Sequence, residues 1–135
     1  MSERFESFEE FWPFYVREHA QKANRVLHFC GTSAALATFG AALLTRKPAL
    51  FALAPVFGYG PAWVGHFFVE KNRPATFQHP LWSLRADFVM FGKMIAGTMD
   101  DEVEEALRAE EERLRTANGG GHEPAQHDVP AAQAS

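Results

Sequence analysis

A single cysteine, Cys30, in 135 residues excludes an intrachain disulfide, and any metal site in the chain must be built from something other than thiolates. No segment alternates apolar and polar residues as a half-buried strand would, and no internal repeat is evident, so the expected fold class is all-α. The first ten residues are charged and lack the apolar core of a cleavable leader, so none is expected. No nucleic-acid partner is expected. Formal charge is missing altogether from two long runs, residues 26–45 and 49–69.

Those runs shape the expected architecture. Residues 26–45 (VLHFCGTSAALATFGAALLT) form a helix that, at about 1.5 Å per residue, covers the roughly 30 Å hydrocarbon core of a bilayer. Residues 49–69 are as apolar but contain Pro55, Pro61, Gly58 and Gly60, interruptions a membrane helix tolerates better than a soluble one, so this segment is expected to be kinked or re-entrant. The mean hydropathy of −0.22 conceals the runs because it pools two unlike parts. Residues 1–99 hold ten Lys/Arg against seven Asp/Glu, and residues 100–135 hold three against ten. The expected organisation is a membrane-embedded catalytic domain over 1–99, an acidic solvated helix over 100–118 and a disordered tail over 119–135.

The other segments read as amphipathic helices flanking a membrane helical hairpin. Phe5, Phe8, Phe11, Trp12 and Tyr15 recur at helical spacing, with Ser7 and Glu10 forming a candidate capping box and Pro13 expected to kink or restart the helix. Residues 81–98 mix apolar and charged positions, which suits a helix that covers the hairpin. Arg17, Lys22, Arg25, Lys71 and Arg73 fall at one end of the hairpin and Arg46 and Lys47 at the other, so both termini are expected on the cytoplasmic side of an integral membrane protein.

Chemistry concentrates at the end of the hairpin away from the turn. His19 precedes the first run, His28 lies just inside it, His66 is near the end of the second and His79 follows shortly after. A histidine at a membrane boundary is, taken singly, more often a capping or interfacial residue; four at one end of a hairpin point to a metal site, since ionisable groups beside apolar spans are costly and tend to be retained for function. Imidazoles with few thiolates suit iron, zinc or copper. Asn24 and His28, and likewise His66 and Glu70, are four apart and share a helical face. Glu70 is thus a candidate ligand or orienting partner, while Glu70, Lys71 and Arg73 also read as a solvated helix end with snorkelling cations. Two other functions fit these features: a haem or electron-transfer protein with His28 and His66 as axial ligands, and a non-catalytic membrane module whose acidic helix recruits a basic partner.

His19, Asn24-Arg-x-x-His28-x-x-Gly-Thr, Trp63-x-x-His66-x-x-x-Glu70-x-Asn-Arg-Pro-Ala and Pro80-Leu-Trp-Ser-Leu-x-x-Asp87-Phe together resemble the small membrane family of 2-hydroxy fatty acid dioxygenases, over about residues 8–98. The resemblance implies an Fe(II) enzyme that uses O2 to shorten 2-hydroxy fatty acids by one carbon in α-oxidation, with membrane lipid around it. It implies His19, His28, His66 and His79 as iron ligands. Lys71 or Arg73 is then expected to attract the substrate carboxylate, and Asn24, Asn72 and Asp87 to hydrogen-bond around the ligands. The acidic tail has no counterpart in the family pattern.

Overall fold

The computed structural model describes residues 4–119, all-helical and without strands among those residues. The expected tail from residue 120 onward lies outside them. Five α-helices follow in order: α1 (Phe8–Glu18), α2 (Lys22–Thr45), α3 (Pro48–Val64), α4 (Pro80–Ala96) and α5 (Met99–Gly119). A π-helical segment, Gly65–Glu70, continues α3, and a short 3₁₀ turn, Ala75–Phe77, precedes α4.

Local chemistry accounts for the boundaries. The Ser7 hydroxyl accepts the Glu10 N–H at 3.3 Å, and the Glu10 carboxylate takes the N–H of Glu6 at 3.0 Å, a capping box displaced by one residue. α1 runs through Pro13 without restarting. Arg46 adopts the left-handed conformation (φ 54°) and ends α2; Pro48 then supplies the fixed φ and missing N–H that suit the first position of α3.

α2 and α3 pack along one another, and what they bury is small. A Cβ on Gly31 would lie 2.8 Å from the Gly58 carbonyl oxygen, so the backbones meet there, and Ala42, Ala54 and Ala62 are buried in the same pair. The large side chains face outward: Leu43, Leu44, Phe39, Phe51 and Val56 are all exposed, Leu44 at 88 %. This inverts the soluble pattern and is how membrane helices associate, through small residues that allow close backbone approach. α2 has an apolar window of mean hydropathy 1.5 with only 17 % of it buried; it is long and apolar enough to cross a membrane, and it is not covered as the core helix of a soluble protein would be. Among the described residues it is the one helix of that kind; the second apolar run, expected to be kinked or re-entrant, divides into α3 and the π segment.

The conventional core lies beside the base of this pair. Phe11, Tyr15 and Val16 of α1 pack with Ala86 and Met90 of α4, Ala75, and Met99 and Val103 of α5. The start of α5 therefore belongs to the packed cap: Asp100 reaches Arg25 at 2.7 Å, and Glu102 pairs with Lys93 at 2.7 Å and accepts from Trp12 Nε1 at 3.1 Å. Most of the helix beyond Ala106 is exposed and carries Arg–Glu pairs at spacings of three and four.

Candidate metal centre

Three chain segments converge where the cap meets the α2–α3 pair. His19 ends α1, His28 is in the second turn of α2, and His66 is the second residue of the π segment. All three are buried, at 1 %, 4 % and 2 % exposure. Their rings stand nearly perpendicular to one another with centroids 4.5, 4.5 and 4.9 Å apart, and one ligand atom from each lies within 4.8 Å of the others.

The hydrogen bonds define which nitrogens face inward. His19 Nδ1 donates to the Tyr15 carbonyl at 2.6 Å, His28 Nδ1 to the Asn24 carbonyl at 2.9 Å, and His66 Nδ1 to Asn72 Oδ1 at 2.7 Å. Each Nε2 is left with a lone pair, and those of His19 and His28 are 3.1 Å apart. Unprotonated nitrogens so close repel unless an electropositive centre lies among them. Burial, with the charges of His28 and His66 next, holds His19 well below the ordinary histidine range, so it remains a neutral ligand rather than an imidazolium. The donor set fits a transition metal: three neutral imidazoles, tautomers fixed from behind, and coordination positions left for other groups.

Each ligand is held by local structure. The π segment widens the end of α3, so that Lys71 turns into the left-handed region (φ 58°) and both its N–H and that of Asn72 return to the His66 carbonyl, the latter at 3.0 Å. That fold-back brings Asn72 against His66; its amide donates in turn to the Glu18 carbonyl at 3.0 Å and to the Glu18 carboxylate. π-bulges are frequent at functional sites for this reason. Arg25, 5 % exposed, donates to the carbonyls of His19 and Ala20 at 2.9 and 2.7 Å, pinning the α1–α2 loop. Tyr15 stacks on His19 with centroids 3.9 Å apart and donates to Asp87 at 2.5 Å; burial pushes the Asp87 carboxyl up to about 6, with the Tyr15 bond acting against the rise.

The remaining sequence candidates are distributed around this centre. Glu70 accepts from the Gln21 N–H at 2.6 Å and from Asn24 Nδ2 at 3.4 Å, clamping the start of α2 to the π segment. Asn24 is fully buried with Oδ1 unpartnered, pressed over Gly65. Lys71 and Arg73 are exposed, and Arg73 lines a cleft of about 400 Å³ with Glu18, Phe14 and Gln78. His79 packs in an aromatic cluster, stacked on Trp82 at 5.6 Å and edge-on to Phe5 and Phe11. The structure thus brings His19, His28 and His66 together and puts His79 among the cap aromatics. Tyr15, Glu18, Gln21, Arg25 and Gly65 were not legible as site residues. The available signal was proximity: Tyr15 is four before His19, Arg25 three before His28 and Gly65 adjacent to His66.

Among the described residues, this all-helical protein has three buried imidazoles that face one point and could hold a metal ion. Over residues 5–99 the chain matches the family described as 2-hydroxy-palmitic acid dioxygenase Mpo1-like, and it belongs to that family. No curated protein and no solved structure matches it.

Proposed function

We propose that the chain is an Fe(II)-dependent dioxygenase that shortens 2-hydroxy fatty acids by one carbon at a membrane. The observation that carries this reading is the convergence of three buried Nε2 atoms, each with its Nδ1 already committed to an acceptor. His19, His28 and His66 would hold the iron, which supplies O2 activation and a binding point for the hydroxyl and carboxylate of the substrate. Asn72, through Glu18, and the Asn24 carbonyl fix the ring orientations. Glu70 secures the loop entering α2, and the exposed cations Lys71 and Arg73 draw the carboxylate to this end of the helical pair.

The outward leucines, phenylalanines and valines of α2 and α3 support a hairpin inserted in lipid, with the alkyl chain of the substrate remaining in the bilayer. The greater number of cations at the base than at the Arg46-Lys47 turn supports an orientation with the centre and both termini on the cytoplasmic side. Axial ligation of haem by His28 and His66 is disfavoured, because the three rings pack within 4.9 Å of one another and leave no slot for a porphyrin plane between two of them. Protein purified in detergent should carry close to one iron and convert a 2-hydroxy fatty acid to the acid one carbon shorter. Equal turnover with zinc would overturn the redox mechanism, and full release from membranes into carbonate buffer without detergent would overturn insertion.

A further inference from the structure

The stripe of α1 that touches the centre continues away from it as a line of rings. Trp12, Tyr15 and His19 recur at spacings of three and four on one helical face. Tyr15 lies 3.9 Å from His19 at an interplanar angle of 25°, and Trp12 lies 5.6 Å from Tyr15 at 17°. Each oxidisable ring has its acidic proton already hydrogen-bonded to a carboxylate: Tyr15 Oη–H to Asp87 at 2.5 Å and Trp12 Nε1–H to Glu102 at 3.1 Å. Tyr15 is fully buried, whereas Trp12 is half-buried, so the line runs from the buried centre to the surface. Packing alone needs neither two near-parallel stacks in succession nor a separate carboxylate for each ring from α4 and α5.

We propose that Tyr15 and Trp12 form a one-electron escape path that carries oxidising equivalents out of the metal centre when O2 reacts there without substrate. The inference rests on the iron reading above for its oxidant, an iron centre oxidised by O2. Tyr15 gives one electron to that centre, reducing it by one, and its phenolic proton to Asp87, leaving a neutral tyrosyl radical. Trp12 then gives one electron to Tyr15, which recovers its proton from Asp87, and passes its own Nε1 proton to Glu102. A one-electron donor in solution, for which ascorbate is the probe, reduces the Trp12 radical as Glu102 returns the proton. Neutral radicals result at each stage because the proton moves along an existing hydrogen bond, which keeps the oxidation from building positive charge inside the cap. The path protects the histidines, the groups otherwise nearest the oxidant.

Flash oxidation of iron-free, full-length protein in detergent by a photogenerated one-electron oxidant tests the path without the metal. The chain has two tyrosines, so the assignment needs few variants. A tyrosyl radical should decay as a tryptophan radical appears, the outward direction the path requires; the transfer should be lost in Tyr15→Phe and in Trp12→Phe and retained in Tyr59→Phe. No transfer in the wild type, or transfer persisting in Tyr15→Phe with helical circular dichroism intact, overturns the proposal. With Fe(II) loaded and O2 supplied without fatty acid, Trp12→Phe should keep the initial substrate turnover but inactivate several-fold sooner, with oxidised histidines found by peptide mass spectrometry. Unchanged inactivation in protein that binds iron and consumes O2 overturns the protective role. Failure to bind iron, with the flash transfer present, would instead remove the iron reading and leave the ring path standing.

Discussion

Gly65→Ala tests whether the centre depends on the backbone contact between α2 and the π segment. A Cβ there would lie 1.9 Å from Asn24 Oδ1, 2.9 Å from Asn24 Cγ and 3.3 Å from Asn24 Cα. The first distance is more than 1 Å inside an ordinary carbon–oxygen contact, so the alanine cannot be absorbed by small relaxation. Asn24 has nowhere to go: it is fully buried, its amide reaches Glu70, and its carbonyl holds His28 Nδ1 at 2.9 Å. Overpacking of a filled site costs about 1–3 kcal/mol and occasionally more. Expressed at the centre, that range corresponds to a loss of metal affinity of roughly five- to 150-fold, because Gly65 adjoins His66 and Asn24 supports His28. Gly60→Ala is the control, since a Cβ at Gly60 meets nothing within 4 Å; it should be neutral or slightly stabilising in a helix. The assay is competition of bound metal against a chelator, with thermal unfolding in the same detergent. If Gly65→Ala retains wild-type affinity and melting temperature while Gly60→Ala does the same, the proposed coupling between Asn24 and the ligands is wrong.

Asn72→Ala should weaken metal binding about 10–100-fold, by freeing the His66 ring, with the helical content unchanged by circular dichroism. His79→Ala should leave metal content intact while lowering the unfolding temperature, since its ring packs on Trp82, Phe11 and Phe5; loss of metal would show that it also serves the centre. Asp87 titrates higher folded than unfolded, near 6 against 3.8, so the folded state binds the extra proton between these values and the stability tied to this carboxyl falls as pH rises through that window. Asp87→Asn should therefore flatten the pH 4–6 limb of the unfolding curve relative to wild type, by at most about 1–3 kcal/mol; an unchanged limb would refute that assignment. Gly31→Ala should loosen the α2–α3 pair, because the new methyl would meet backbone at Gly58 and Phe57, at 2.8 and 3.0 Å; a protease-resistance profile identical to wild type would count against the close approach.

Much of the fold could be read from periodicity and charge. Absence of strand alternation and the 3–4 spacing of Phe8, Phe11, Trp12 and Tyr15 identify helices because side-chain direction repeats every 3.6 residues. The length of the run after Arg25 identifies a helix of spanning length for a similarly local reason, the constant rise per residue. The second run was harder. Its prolines and glycines point to a kink or re-entry, whereas the chain forms α3 through Pro55 and Pro61 and then a π segment, a change of hydrogen-bond register to which composition is blind. That change also altered Glu70: four residues from His66 on an ideal helix, it instead clamps the Gln21 N–H, and Asn72, from beyond the left-handed Lys71, takes the His66 ring.

The sequence by itself determined the helical class, the apolar run able to cross a bilayer, the clustering of histidines at one end of the paired runs and the family motifs, all properties of residue type and short-range spacing. Only the tertiary structure decided which imidazoles share a point, which nitrogen each turns inward, and that the first turns of the acidic α5 close the cap through Asp100 and Glu102. Those outcomes depend on crossing backbones at Gly31 and Gly65 and on hydrogen bonds between residues such as Arg25 and Asp100, 75 apart in the chain. No local spacing encodes a contact between segments; it arises when burial forces them into one volume and each buried polar group must find its partner there.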